Sequence, residues 1–360
     1  MESSRYLPEA SLDAWLGELA SSHELIVPRR EGDAIVFGPY DPAVSPDISR
    51  DATAPPKSTV FPACEELMRY SSVKDADDPS RTLVRMEEVM PSGSRVVFGA
   101  RPCGTRGFTV YDRVFDAPAM HDPYYVARRQ NTLFVTLACS EAGSACFCHW
   151  VGSGPADASG SDVLLVPVKG GWLAEGVSDK GRELLDSPLL APGDKYAGEA
   201  KAAKAKAMES LESAADLKPA PESLLAVFDD MEFWNRMSAK CISCGACTYL
   251  CPTCYCFNIT DENKGMEGSR LRTWDNCMSF QFTLEASGHN PRPTKAHRLK
   301  NRVGHKFSYY PGLHGGAIAC CGCGRCIKSC PAGVDIRQIV LAAMDRAKAT
   351  SQGNTTGERA

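Results

Sequence analysis

In the first half of the chain, apolar residues fall in short runs bounded by polar and turn-forming residues. That is the pattern of buried strands rather than long amphipathic helices. Leu25-Ile-Val27 and Ala34-Ile-Val-Phe37 flank a segment ending Arg-Arg-Glu-Gly-Asp and predict a hairpin. Arg95-Val-Val-Phe-Gly99 and Thr132-Leu-Phe-Val-Thr-Leu137 read as buried strands. The chain between them is long enough for a crossover helix, which predicts a parallel pair. Asp162-Val-Leu-Leu-Val166 and Trp172-Leu-Ala174 predict a further hairpin. Residues 195–217 are rich in Ala and Lys, strong helix formers, and Lys218-Pro-Ala-Pro221 ends that stretch.

From Glu222 onward the period lengthens and the pattern predicts mainly helix. Leu224-Leu-Ala-Val-Phe228 leads through Met237, and Ile336 to Met344 has an amphipathic repeat. The expected class is α+β: a mixed α/β domain over 1–194, a helical linker over 195–221, and a helical ferredoxin-type domain over 222–350. The polar segment 351–360 is expected to be a disordered tail.

The chain has 360 residues, 43% of them hydrophobic, and a net charge of −4. That balance gives no basis for nucleic-acid binding. The segment beginning Met1-Glu-Ser-Ser-Arg-Tyr lacks the basic and apolar regions of an export signal, and no apolar run has membrane-spanning length. With 17 cysteines in such a chain, clustered at ligand spacing, the expectation is metal chemistry in a reducing cytoplasm rather than a disulfide scaffold.

Two cysteine runs carry that chemistry. Cys241-Ile-Ser-Cys244-Gly-Ala-Cys247-Thr-Tyr-Leu-Cys251-Pro252 and Cys320-Cys-Gly-Cys323-Gly-Arg-Cys326-Ile-Lys-Ser-Cys330-Pro331 share one spacing. It is C-x2-C-x2-C-x3-C-P, which wraps a [4Fe-4S] cubane with three thiolates and sends the fourth to a second cubane. The expected ligand sets are therefore Cys241, Cys244, Cys247 and Cys330 for one cluster. The other takes Cys320, Cys323, Cys326 and Cys251. Structural zinc uses paired C-x2-C hooks and fits this spacing poorly.

Cys103 and Cys139 follow the two strands expected to be parallel, so both are expected at one sheet edge near Cys146-Phe-Cys148. These four thiols form a candidate third site, for a [4Fe-4S] cluster or zinc, with unliganded cysteines as the plain alternative. Cys254, Cys256 and Cys277 read either as cluster ligands themselves or as thiols packed against a cluster, and packing is the favoured expectation because the eight principal ligands are complete without them. Cys321 is out of register with the ligand frame, and Cys64 is expected to be a core thiol. His149, alone beside the C-x-C pair, reads as structural. The basic run from Arg292 through Lys295, His297, Arg298 and Lys300 to Arg302 fits either a solvated helix face or positive charge beside a cluster.

With these motifs the chain resembles the iron–sulfur β subunits of cytoplasmic sulfhydrogenases, the corresponding iron–sulfur subunit of anaerobic sulfite reductase, and the related subunit of flavin oxidoreductases coupled to heterodisulfide reductase. The resemblance runs from about residue 95. It rests on Ala100-Arg-Pro-Cys-Gly104, Asp122-Pro-Tyr-Tyr125 with Arg128-Arg129, and Cys146-Phe-Cys148 with Gly152-Ser-Gly-Pro155. Cys251-Pro-Thr-Cys-Tyr-Cys-Phe257, Trp274-Asp-Asn-Cys-Met278, Gly288-His-Asn-Pro-Arg-Pro293 and the second cysteine run extend it. Gly104 stands where many relatives carry aspartate. The resemblance implies a non-catalytic electron-relay subunit of an oxidoreductase. The partners it implies are terminal oxidoreductase subunits and a flavoprotein subunit that binds FAD and NAD(P)H. The competing class is a self-contained iron–sulfur oxidoreductase with substrate in the N-terminal domain. Against it, no G-x-G-x-x-G loop or P-loop occurs.

Overall fold

Eight strands form the main sheet of the computed structural model, which describes residues 4–357. Their order is Ala191–Pro192, Arg5–Pro8, Gly171–Gly176, Val163–Val168, Thr132–Leu137, Arg95–Ala100, Glu24–Glu31 and Ala34–Pro39. The inner strands Val163–Val168, Thr132–Leu137, Arg95–Ala100 and Glu24–Glu31 run parallel. Both predicted hairpins and the predicted parallel pair are present. The short apolar runs reflect a sheet covered on both faces. Val96 and Phe98 join Trp15, Leu16 and Val135 on one face, while Val97 turns to Phe108, Tyr111 and Phe134 on the other.

Helices Pro102–Phe115 and Pro123–Gln130 make the crossover between the central strands. Pro102 occupies the first turn, where its missing N–H costs nothing. Asp122 caps the second helix by accepting from the Tyr125 N–H at 2.9 Å.

Beyond residue 220 the pattern is less helical than the sequence suggests. Helices Ala220–Ala226, Met231–Ser238, Lys295–Gly304 and Ile336–Gly357 do pack round Leu224, Phe233, Trp234, Val303 and Val340. Between the cysteine runs, however, Phe257–Lys264 and Glu267–Trp274 form a β-hairpin. Glu267–Trp274 pairs antiparallel with Cys64–Lys74, which pairs with Thr82–Glu88, giving a second, four-stranded sheet. Arg272, buried, donates to Glu65 from Nε at 3.0 Å and also pairs with Asp122. Arg128 shares the same Glu65. These buried ion pairs lock the hairpin to the crossover helix.

Three smaller expectations are corrected. The alanine-rich helix spans Ala197–Glu209 and stops short of 217. Ser210 ends it, its hydroxyl donating to the Ala207 carbonyl and accepting from the Ala142 N–H. Cys64 opens its strand and is exposed, so it is not a core thiol. The last helix continues through Gly357, taking in most of the expected tail, while residues 358–360 lie outside the described residues. Among the described residues, no helix is long and apolar enough to cross a membrane.

Candidate metal centres

The two cysteine runs fold into the same loop twice. In the first, Ser243 and Gly245 have φ of 59° and 77°, on either side of Cys244. In the second, Gly322 and Gly324 have φ of 61° and 69°, on either side of Cys323. Ser243 is the one non-glycine residue with positive φ among the described residues, a conformation that costs free energy for a side chain with a Cβ. Each loop then enters a one-turn helix, Ala246–Tyr249 or Arg325–Lys328. The curl turns backbone N–H groups onto sulfur in matching positions. The Ser243 N–H donates to Cys241 Sγ at 3.4 Å, and the Gly322 N–H to Cys320 Sγ at 3.4 Å.

The first loop lines a cavity that also takes Cys326 and Cys330 from the second. Apolar Met278, Leu299, Ile336 and Ile339 complete its wall. Cys241, Cys244, Cys247 and Cys330, expected to act together, therefore border one space although 82 residues of chain separate Cys247 from Cys330. Cys251 turns the other way: its thiol lies within electrostatic reach of Cys320, Cys323 and Cys326. Among the described residues, no three His, Cys, Asp or Glu side chains close round a single ion. A cubane needs a wider set, one thiolate at each of its four irons. The donor set, all soft thiols, and the glycine-lined approach to the cavity fit that group.

Burial works against a free thiolate at most of the loop cysteines, and nearby cations partly offset it. Burial pushes Cys320 up to about 11 and also raises Cys247 and Cys326. The Lys306 and Arg302 charges oppose that rise. Coordination to iron supplies the compensation that burial alone removes. Cys323 is instead held low, at about 6, chiefly by a hydrogen bond with the Cys103 thiol and further by Arg325.

Part of the basic run turns inward rather than forming a solvated face. Arg298, buried, donates to the carbonyls of Met278, Arg292 and Pro293 and reaches Ser243 Oγ at 3.3 Å. Lys295 holds the carbonyls of Ala239 and Cys241. Arg302, 3% exposed, donates to the Cys247 carbonyl at 2.6 Å and to Cys254 Sγ at 3.3 Å. Lys306, beyond the end of the run recognised in the sequence, bonds Cys251 Sγ at 3.4 Å, Thr253 Oγ1 at 2.7 Å and the Ala319 carbonyl at 2.8 Å. Lys57 also bonds carbonyls of the first run, those of Thr248 and Cys254. Neither lysine stood in a recognisable motif.

The candidate third site lies against the second loop. Cys103 begins the Pro102–Phe115 helix and faces Cys323, with Arg325 Nη1 at 3.5 Å from its sulfur. Cys139 follows its strand as expected, and its thiol feels Cys146 and Cys148. The loop carrying that pair is braced by the Phe147 N–H donating to the Gly322 carbonyl at 2.8 Å. A Cβ on Gly322 would meet the Cys148 backbone at 2.5 Å, and one on Gly324 the Ala145 carbonyl at 2.4 Å. Burial raises Cys139 to about 12 and Cys148 to about 11, with Arg101 countering at Cys139. A polar cleft lined by Arg50, Asp51, Arg101, Arg325 and Lys328 opens beside Cys139 and Cys323. Gly104 packs 3.0 Å from Pro56, measured at a built Cβ, so no aspartate side chain fits here without rearrangement. His149 gives its Nε2 to the Glu212 carbonyl at 2.8 Å.

Known proteins give matching signals. A family model described as a 4Fe-4S dicluster domain matches residues 240–334, which contain both loops. The chain is 33% identical over 253 residues to the Sulfhydrogenase 2 subunit beta of Pyrococcus furiosus, covering 69% of this chain and 73% of that protein. No solved structure matches the chain.

Proposed function

The chain belongs to the iron–sulfur β-subunit family of sulfhydrogenases, and from that premise we propose that it relays electrons within a multi-subunit oxidoreductase. In this reading one [4Fe-4S] cluster is held by Cys241, Cys244, Cys247 and Cys330. A second is held by Cys320, Cys323, Cys326 and Cys251. Cys103, Cys139, Cys146 and Cys148 hold a third. A flavoprotein subunit that oxidises NAD(P)H stands on one side, and a terminal redox enzyme of hydrogenase, sulfite reductase or heterodisulfide reductase type on the other, in the cytoplasm. The observation that carries the reading is the repeated loop, with Cys330 of one copy bordering the cavity of the other.

Bound clusters supply one-electron chemistry. The protein residues set its energetics and access. The N–H···S contacts and the buried Arg302 and Lys306 stabilise negative charge on the thiolates, and so favour the reduced form. The apolar walls of Met278, Leu299, Ile336 and Ile339 exclude water from the first cavity. Cys244 and Ile242 remain exposed beside it, leaving a short route to a docked partner.

The cleft beside Cys139 and Cys323 favours a second reading, in which a small anion is reduced there by the chain itself. Anaerobically purified protein separates the two. A relay accepts electrons from a strong reductant, contains about eight to twelve irons from four per cluster, and neither oxidises NAD(P)H nor turns over alone. Sustained nicotinamide oxidation or anion reduction by the isolated, flavin-free chain would refute the relay.

A further inference from the structure

The second sheet ends in a strand that nothing covers. Thr82–Glu88 is one edge of the order Phe257–Lys264, Glu267–Trp274, Cys64–Lys74, Thr82–Glu88, and all of its residues are exposed. The N–H and C=O groups it turns away from Cys64–Lys74 have no strand partner. Edge strands are ordinarily blunted by lysine, proline or a bulge. Residues 82–90 contain neither lysine nor proline, and the pairing with Cys64–Lys74 runs without a shift in register. The opposite edge, Phe257–Lys264, is better protected: it ends in a lysine, and Asp261 and Glu262 stand among the polar Asn258, Thr260 and Asn263.

The side chains of Thr82–Glu88 are as unpartnered as its backbone. Alternation puts Val84, Met86 and Glu88 on one face and Leu83, Arg85 and Glu87 on the other. Met86 is 71% exposed and Val84 60%. Met86 lies opposite Tyr70, but that ring leans the other way, over Gly268, and its hydroxyl bonds Asn263 Oδ1. The methionine is therefore left without cover from its own sheet. Glu88 accepts from the Tyr124 hydroxyl at 3.3 Å. On the other face, Arg69 lies opposite Glu87 but is taken by Glu66, and Arg85 lies opposite Ser71. Among the described residues, neither Arg85 nor Glu87 makes a side-chain hydrogen bond or ion pair.

We propose that Thr82–Glu88 pairs antiparallel with the same strand of a second copy of this chain, about a twofold axis at Met86, joining the two four-stranded sheets into one. The strand is self-complementary in that register. With Met86 opposite Met86 of the second copy, Arg85 of each strand faces Glu87 of the other, and Leu83 faces Val89. Opposite charges directly across a ladder are favourable and like charges are not. Centring on Arg85 would set guanidinium against guanidinium, and centring on Glu87 carboxylate against carboxylate. Centring on Val84 would put Arg85 opposite Leu83 and give Glu87 only Arg81, which already faces Asp75. The Met86 register also gathers Met86 and Val84 of both copies into one apolar stripe, while the backbone ladder supplies affinity. One strand pair is a small interface, so association in the micromolar range is expected. The inference concerns this sheet alone and is independent of the cluster ligands.

The test is sedimentation velocity over a concentration series, on full-length protein purified anaerobically. The variants are Arg85→Glu, Met86→Lys, and the double swap of Arg85→Glu with Glu87→Arg. All three positions are exposed, so the fold is expected to tolerate the changes, and circular dichroism checks that it does. The parent is expected to form a concentration-dependent dimer. Arg85→Glu makes both charge pairs repulsive, and Met86→Lys brings two ammonium groups together at the axis. Each is expected to weaken the dimer by about tenfold or more. The double swap restores opposite charges and is expected to recover most of that loss. A parent that is monomeric at every concentration overturns the proposal. So does a dimer that neither single variant weakens, or one that the double swap weakens as much as Arg85→Glu does. Iron content and spectra are expected to be the same in every variant, so the relay reading is judged separately.

Discussion

Replacing Lys306 by methionine removes one buried positive charge while keeping much of the side-chain volume. The ammonium lies 3.4 Å from Cys251 Sγ and also holds Thr253 Oγ1 and the Ala319 carbonyl, next to Cys320. With the transferred electron spread over a cluster centred ~6 Å away and an effective dielectric constant of ~20, the lost attraction is about 2.8 kcal/mol. For a one-electron couple that corresponds to about 120 mV, since 59 mV is a factor of ten. The sign is fixed: a nearby cation stabilises the more negative, reduced form, so its removal lowers the potential. EPR-monitored redox titration of the intact protein is the assay, with iron content confirming that the cluster is retained. The cluster of Cys320, Cys323, Cys326 and Cys251 is expected to shift most, because Lys306 touches Cys251. An unchanged potential with full iron content, or a shift confined to the other cluster, would refute the placement of this charge.

Cys330→Ala is expected to damage the same cluster as Cys247→Ala, and Cys251→Ala the other one; EPR spectra grouping Cys251 with Cys241 would count against crossed ligation. Gly107→Ala puts a Cβ 2.5 Å from the Pro252 carbonyl. Overpacking of about 1–3 kcal/mol is expected to outweigh the gain in helix propensity and lower the anaerobic melting temperature. Glu65→Gln leaves Arg272 and Arg128 without their shared carboxylate. Asp122 still pairs with Arg272, so the expected cost is about 3 kcal/mol, at the lower end for a broken buried pair, read by denaturant unfolding.

The central sheet was legible because its strands are short apolar runs with both faces covered, as Val96, Val97 and Phe98 illustrate. The cysteine loops were legible from spacing alone. The second sheet was not. Phe257–Lys264 is exposed at all but its first residue, so Asn258-Ile-Thr-Asp-Glu-Asn carries no buried periodicity to betray a strand. Its neighbour Glu267–Trp274 finds its partner about 200 residues earlier in the chain, a pairing no local pattern encodes. The charges at the site were half visible. Arg298 and Arg302 stood in a conspicuous basic run, but solvation could not be told from burial until packing was known. Lys57 was invisible, because it enters from the N-terminal part of the chain.

The shared hairpin has a practical consequence for engineering. A fragment cut at residue 222 would keep both cysteine loops but lose the strand Cys64–Lys74, exposing the edge of Glu267–Trp274. Arg272 would then lose both of its carboxylates, and the Trp274 indole N–H its acceptor on Phe61. Such a fragment invites edge-to-edge aggregation. Grafting this electron-carrying unit onto another enzyme therefore calls for the partner strands from the front of the chain to travel with it.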